Sequence, residues 1–91
     1  MDEANIRLRI KRILVESLAL EGVEPEEIED DTPLREELGL DSIDALELIL
    51  GLEREFGVRI QGRGLGRETF TNVATLGAFV QQRLPESAAS G

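Results

Sequence analysis

One window of the chain could take part in group-transfer chemistry. It runs Leu38-Gly39-Leu40-Asp41-Ser42-Ile43-Asp44-Ala45-Leu46-Glu47-Leu48, and it sets a single hydroxyl among carboxylates. No imidazole or thiol can assist that hydroxyl, because the 91 residues contain neither histidine nor cysteine. The usual base near neutral pH, the Ser-His relay, the commonest zinc ligand and any disulfide framework are therefore excluded. Carboxylates alone can bind hard cations, but the acidic cluster at 26–31 lacks the spacing of a calcium loop and reads as solvated surface. Taken by itself, Ser42 is a serine at a helix start, a place where serines ordinarily hydrogen-bond to nearby backbone.

The elements that must position this window are helical. Ile6, Ile10, Ile13, Leu14 and Leu18 recur at three- and four-residue spacing, with Arg7, Arg9, Lys11, Arg12 and Glu16 largely between them. This pattern predicts an amphipathic helix over 6–18, with Asp2 and Glu3 near its positive end and Gly22 ending it. Residues 22–40 read as a long acidic connection, interrupted by Pro25 and Pro33 and anchored by Val23, Ile28, Leu34, Leu38 and Leu40. The spaced apolar residues predict a connection draped over the bundle, with helical turns at 26–29 and 34–38.

Asp41 and Asp44 form a capping-box pair at the start of the longest helix. Ala45, Leu48, Ile49, Leu52 and Phe56 make its core stripe. Ile43, Leu46 and Leu50 form a second stripe, so the apolar face is too wide for simple burial and part of it is expected in solvent. Gly57 stops this helix. Val58, Arg59 and Ile60 follow as a short extended piece, and the glycine-rich basic stretch at 61–67 is expected to be mobile. A turn of helix at 68–70 and a last helix over 73–83, capped by Asn72, complete an all-α, four-helix bundle with a long first loop and a short third helix. Val73, Leu76, Phe79, Val80 and Leu84 are its inward residues, Pro85 ends it, and residues 85–91 read as a disordered tail to a single domain spanning 1–84.

Formal net charge is −9, unevenly placed. Between Glu16 and Glu47 there are thirteen acids and one base, Arg35. A free nucleic-acid binder would carry the opposite field. The stretch at 62–66 lacks the Lys-Ser/Thr ending of a phosphate loop, and as an arginine-glycine tract it is opposed by the acidic domain, so nucleic acid is not an expected partner. No run approaches the roughly 18 apolar residues of a membrane span, and the first 20 residues are too charged for a secretory signal. The expectation is a cytoplasmic monomer with no membrane insertion, and an enzyme is the least favoured class.

The chain resembles the acyl carrier proteins from about Ile6 to Leu84. The resemblance rests on the long acidic first loop, on Asp41-Ser42-Ile43 opening a helix, on Glu47, on Leu52-Glu53-Arg54-Glu55-Phe56-Gly57 and Ile60, and on the short final helix. It implies that Ser42 bears a covalent 4'-phosphopantetheine arm and that Asp41 frames the attachment site. Asp44, Glu47 and Glu53 then correspond to an acidic partner-recognition face, Ile43 and Leu50 to its apolar contacts, and Leu46 and Ile60 to positions bordering the space where an acyl chain can lie. For Leu46 and Ile60, core packing is the plainer role.

The implied partners are a phosphopantetheinyl transferase and acyl-loading and ketosynthase-type enzymes, with an acyl thioester as cargo. The chain also departs from the family. Arg54 stands where many fatty-acid carriers have an acid, and Gln61, Gly62, Arg63, Gly64, Gly66 and Arg67 replace a usually acidic, slightly shorter segment. Arg63 and Arg67 would repel partners that read acids there, which suggests a specialised fatty-acid, polyketide or aryl-polyene type of carrier. A peptidyl or aminoacyl carrier and an unmodified helical adaptor are the alternatives.

Overall fold

In the computed structural model, which describes residues 2–60 and 67–84, the fold is the expected all-helical bundle. The apolar spacing of α1 (Glu3–Ser17) becomes one buried stripe of Ile6, Ile10, Ile13 and Leu14. Its end differs from expectation. The helix stops at Ser17, and the left-handed residue that turns the chain is Ala19, at φ 51°, with Gly22 serving a later turn. The reason is packing: Leu18 and Leu20 fold back to lie partly buried against the core, and Leu20 N–H donates to the Val15 carbonyl.

The long connection is draped, not loose. A 3-10 turn at Pro25–Glu27 leads to buried Ile28, and α2 (Leu34–Leu38) inserts Leu34 fully into the core. Three ties hold it. The Asp30 carboxylate pairs with Arg7 at 3.0 Å and Lys11 at 2.9 Å. The Asp30 carbonyl accepts from Ala74 N–H, and Leu34 N–H donates to the Thr71 carbonyl. The acidic loop thus closes over α1 and the start of α4.

A second core stripe belongs to α3 (Ser42–Phe56), which buries Leu48, Leu52 and Phe56. Helix α1 packs against both α3 and α4 (Val73–Arg83). At the first of these contacts a Cβ on Gly51 would come within 2.9 Å of Ile13 Cγ2, so only glycine lets the two helices approach this closely. Val58 and Ile60 follow α3 into the core without regular secondary structure. The expected turn of helix at 68–70 is a 3-10 turn, Arg67–Phe70. Asn72 then caps α4 by accepting from Thr75 N–H. The expectations for 61–66 and for the tail at 85–91 lie outside the described residues.

Candidate functional site

The local chain path that presents Ser42 begins at α2. Gly39 ends that helix at φ 71°, a conformation that strains any residue carrying a Cβ, and turns the chain toward α3. Leu40 is buried beneath the turn, and its N–H donates to the Leu34 carbonyl. Asp41 is the N-cap of α3. Its carboxylate accepts from Asp44 N–H at 2.8 Å, and the Asp44 carboxylate accepts in return from Asp41 N–H at 3.4 Å.

This reciprocal cap decides the state of Ser42. The hydrogen-bonding task that a helix-start serine often performs is filled by Asp41. Ser42 is exposed as the first residue of α3, and its hydroxyl makes no hydrogen bond among the described residues. The first backbone N–H of the helix to find an intrahelical acceptor is that of Ala45, which donates to the Asp41 carbonyl. The N–H groups of Ser42 and Ile43 precede it and have no carbonyl within the helix, so they remain free to face an anion.

Beside the hydroxyl lies a cleft of about 270 Å³ lined by Arg35, Leu40, Asp41, Ser42, Ala45 and Phe70. It joins α2, the first turn of α3 and the 3-10 turn. A phosphodiester-linked arm fits this setting: the Ser42 oxygen is open, its neighbouring carboxylates are occupied in the cap, and an apolar wall of Leu40, Ala45 and Phe70 lies alongside. Among the described residues, no group of three or more carboxylates converges as a metal site.

The outer face of α3 carries Ile43, Leu46 and Leu50, which are 71%, 58% and 52% exposed. Asp44 is half-buried and Glu47 exposed on the same helix. Glu47 and Leu50 also line a shallow groove against α1, with Ile13, Glu16, Ser17, Gly51, Arg54 and Glu55. The placement of Leu46 corrects the sequence reading. It does not pack in the core, because its position falls in phase with Ile43 and Leu50 and not with Leu48 and Leu52. Ile60 is buried in the core.

Glu53 is only partly exposed, and its carboxylate accepts from Ile60 N–H at 2.7 Å. It holds the segment after α3 in place, a task its position on an acidic helix face did not disclose. Arg63 lies outside the described residues. The backbone of Arg67 belongs to the 3-10 turn.

Two further residues escaped sequence reasoning. Asp30 looked like one acid among many, yet it joins α1 to α4. Arg35 looked like an isolated base, yet it lines the cleft beside Ser42. Its being the sole cation in the acidic middle was the available signal.

A family model described as "Phosphopantetheine attachment site" matches residues 9–81. The chain is 38% identical over 91 residues to an acyl carrier protein of Saccharopolyspora erythraea, covering 99% of this chain and 93% of that one. It is 46% identical over 52 residues to acyl carrier proteins of Zymomonas mobilis and of Bradyrhizobium sp.. Those two alignments cover 57% of this chain and 63% and 62% of the respective relatives.

Proposed function

The chain belongs to the acyl carrier protein family of phosphopantetheine-attachment domains, and on that premise we propose that Ser42 is the attachment point through which it carries acyl groups. The free, exposed hydroxyl at the capped start of α3 is the observation that supports this reading. The chain has no histidine or cysteine to activate Ser42. It therefore acts as the acceptor in a transferase reaction, and the base that takes the hydroxyl proton comes from the transferase. When bound, the arm supplies the thiol that this cysteine-free chain lacks, and with it a thioester link to cargo.

The chain's own residues present the site. Asp41 and Asp44 cap the first turn of α3, so the backbone that carries Ser42 is held at the head of the helix. Ile43, Leu50 and Glu47, all exposed, together with half-buried Asp44, form a docking face of apolar residues edged with acids, to which Leu46 is added by its exposure. Basic transferase, loading and ketosynthase-type partners suit that face, and long-range attraction speeds their approach. Arg54 is exposed on α3, and Arg63 and Arg67 follow it in sequence. These bases support a specialised carrier of fatty-acid or polyketide type. The relatives' names favour acyl over aminoacyl cargo.

The carrier domain is proposed to span 1–84, with 85–91 as a tail, and to work in the cytoplasm. No helix among the described residues is long and apolar enough to cross a membrane.

The test is intact mass after incubation with coenzyme A and a broad-specificity phosphopantetheinyl transferase. The wild-type chain gains one arm and Ser42→Ala gains none. A wild-type mass that stays unchanged favours an unmodified adaptor and removes the proposal. Exchanging Arg63 and Arg67 for Glu is expected to raise loading by housekeeping fatty-acid enzymes. Unchanged loading removes their role in partner choice.

A further inference from the structure

Between Glu16 and Glu47 the chain has a single base, Arg35, and the fold sets it on the wall of the cleft that Ser42 opens into. Some of the cations are drawn into ion pairs. Arg7 and Lys11 pair with Asp30, and Arg9 pairs with Glu55. Arg35 makes no ion pair among the described residues, although Glu36 and Glu37 follow it directly. Helix geometry explains this. Residues one and two positions apart do not face each other, the positions three and four ahead of Arg35 are Leu38 and Gly39, and Asp31, four behind, lies before α2 begins at Leu34. Arg12, Arg54 and Arg59 are also without ion pairs among the described residues, but none of them lines this cleft.

The other charge in the cleft wall is Asp41, whose carboxylate is already bound to Asp44 N–H. A guanidinium in this place suits an anion that is held at Ser42 itself. We propose that Arg35 is the positioning residue for the phosphodiester of the arm, donating to its free oxygens and laying the arm along the wall of Leu40, Ala45 and Phe70. This rests on the reading that Ser42 bears the arm. A phosphodiester on Ser42 Oγ is held beside the cleft by its own covalent link, so even an exposed guanidinium meets it at high effective concentration. A guanidinium can also donate to two phosphate oxygens at once, which a lysine cannot match. A carboxylate on the cargo is the less suited anion, because it lies at the far end of the arm.

The test compares holo wild type, holo Arg35→Gln and holo Arg35→Lys by ³¹P NMR and by the ¹⁵N–¹H signal of the Arg35 side chain. Equal mass gain in all three establishes that each carries the arm. The phosphorus resonance is then expected to shift between wild type and Arg35→Gln, with Arg35→Lys between them. The Arg35 Nε–H signal is expected to move when apo protein becomes holo, and to return toward its apo position as salt is raised. Identical phosphorus resonances in wild type and Arg35→Gln overturn the proposal and leave attachment at Ser42 intact. An Arg35 signal that moves only after a dicarboxylic acyl group is loaded overturns it in favour of the cargo. A wild-type chain that gains no arm overturns both readings together.

Discussion

Two charged junctions of this molecule are built from the same kinds of residue and are put to opposite ends. At the junction around Asp30, a carboxylate meets Arg7 and Lys11 while its own carbonyl accepts from Ala74 N–H. At the cleft beside Ser42, Asp41 is engaged in its helix cap and Arg35 has no acidic partner among the described residues. The first junction is closed, and its charges hold the long loop onto α1 and α4. The second is left open on the cationic side. Charge that has a partner in the fold serves the fold, and charge without one is available to a ligand. The two faces of α3 repeat this contrast in apolar terms: Leu48 and Leu52 are committed to the core, while Ile43, Leu46 and Leu50 are not.

That contrast can be broken by substitution. The largest expected effect is Leu48→Ala, which leaves a cavity at a fully buried site and costs about 2–5 kcal/mol by denaturant unfolding. A cost no greater than that of Leu46→Ala would erase the distinction between the two α3 faces. Asp41→Ala removes a helix cap and is expected to cost about 1 kcal/mol. If stability were unchanged, the carboxylate would not be occupied in the cap, and its place beside Ser42 would need another reason.

Asp30→Ala comes next, at about 0.5–1 kcal/mol, because both ion pairs are partly exposed and solvent weakens them. This cost should shrink in high salt, and a loss insensitive to salt would count against the ion-pair account. Smallest of all, Leu46→Ser and Arg35→Gln should change the stability of the apo protein by less than about 0.5 kcal/mol each. A larger loss in Arg35→Gln would mean that the guanidinium has a structural task and that the second junction is closed like the first.

Much of the fold was legible in the residues. The buried stripes of α1 and α3, the capping pair Asp41/Asp44, the cap at Asn72 and the stop at Gly57 all lie within one helix or one turn, where spacing alone determines which groups meet. The Asp41-Ser42-Ile43 window was legible only through its resemblance to the acyl carrier proteins, since a serine one residue after a cap is by itself an ordinary residue. The early end of α1 was not, because Ala19 takes a left-handed conformation only when Leu18 and Leu20 find the core behind it. Leu46 was misplaced because an apolar residue on a wide stripe can face either way until its neighbours are known.

The sequence by itself determined where the helices lie, which hydroxyl stands at the head of α3, and how strongly acidic its surroundings are. Only the tertiary structure decided that Asp30 joins α1 to α4, that Gly51 must yield room to Ile13, that Glu53 reaches Ile60, and that Arg35 stands beside Ser42. The physical reason is range. Periodicity and capping act over three or four residues along the chain, whereas these meetings join groups whose proximity depends on how the whole chain is packed.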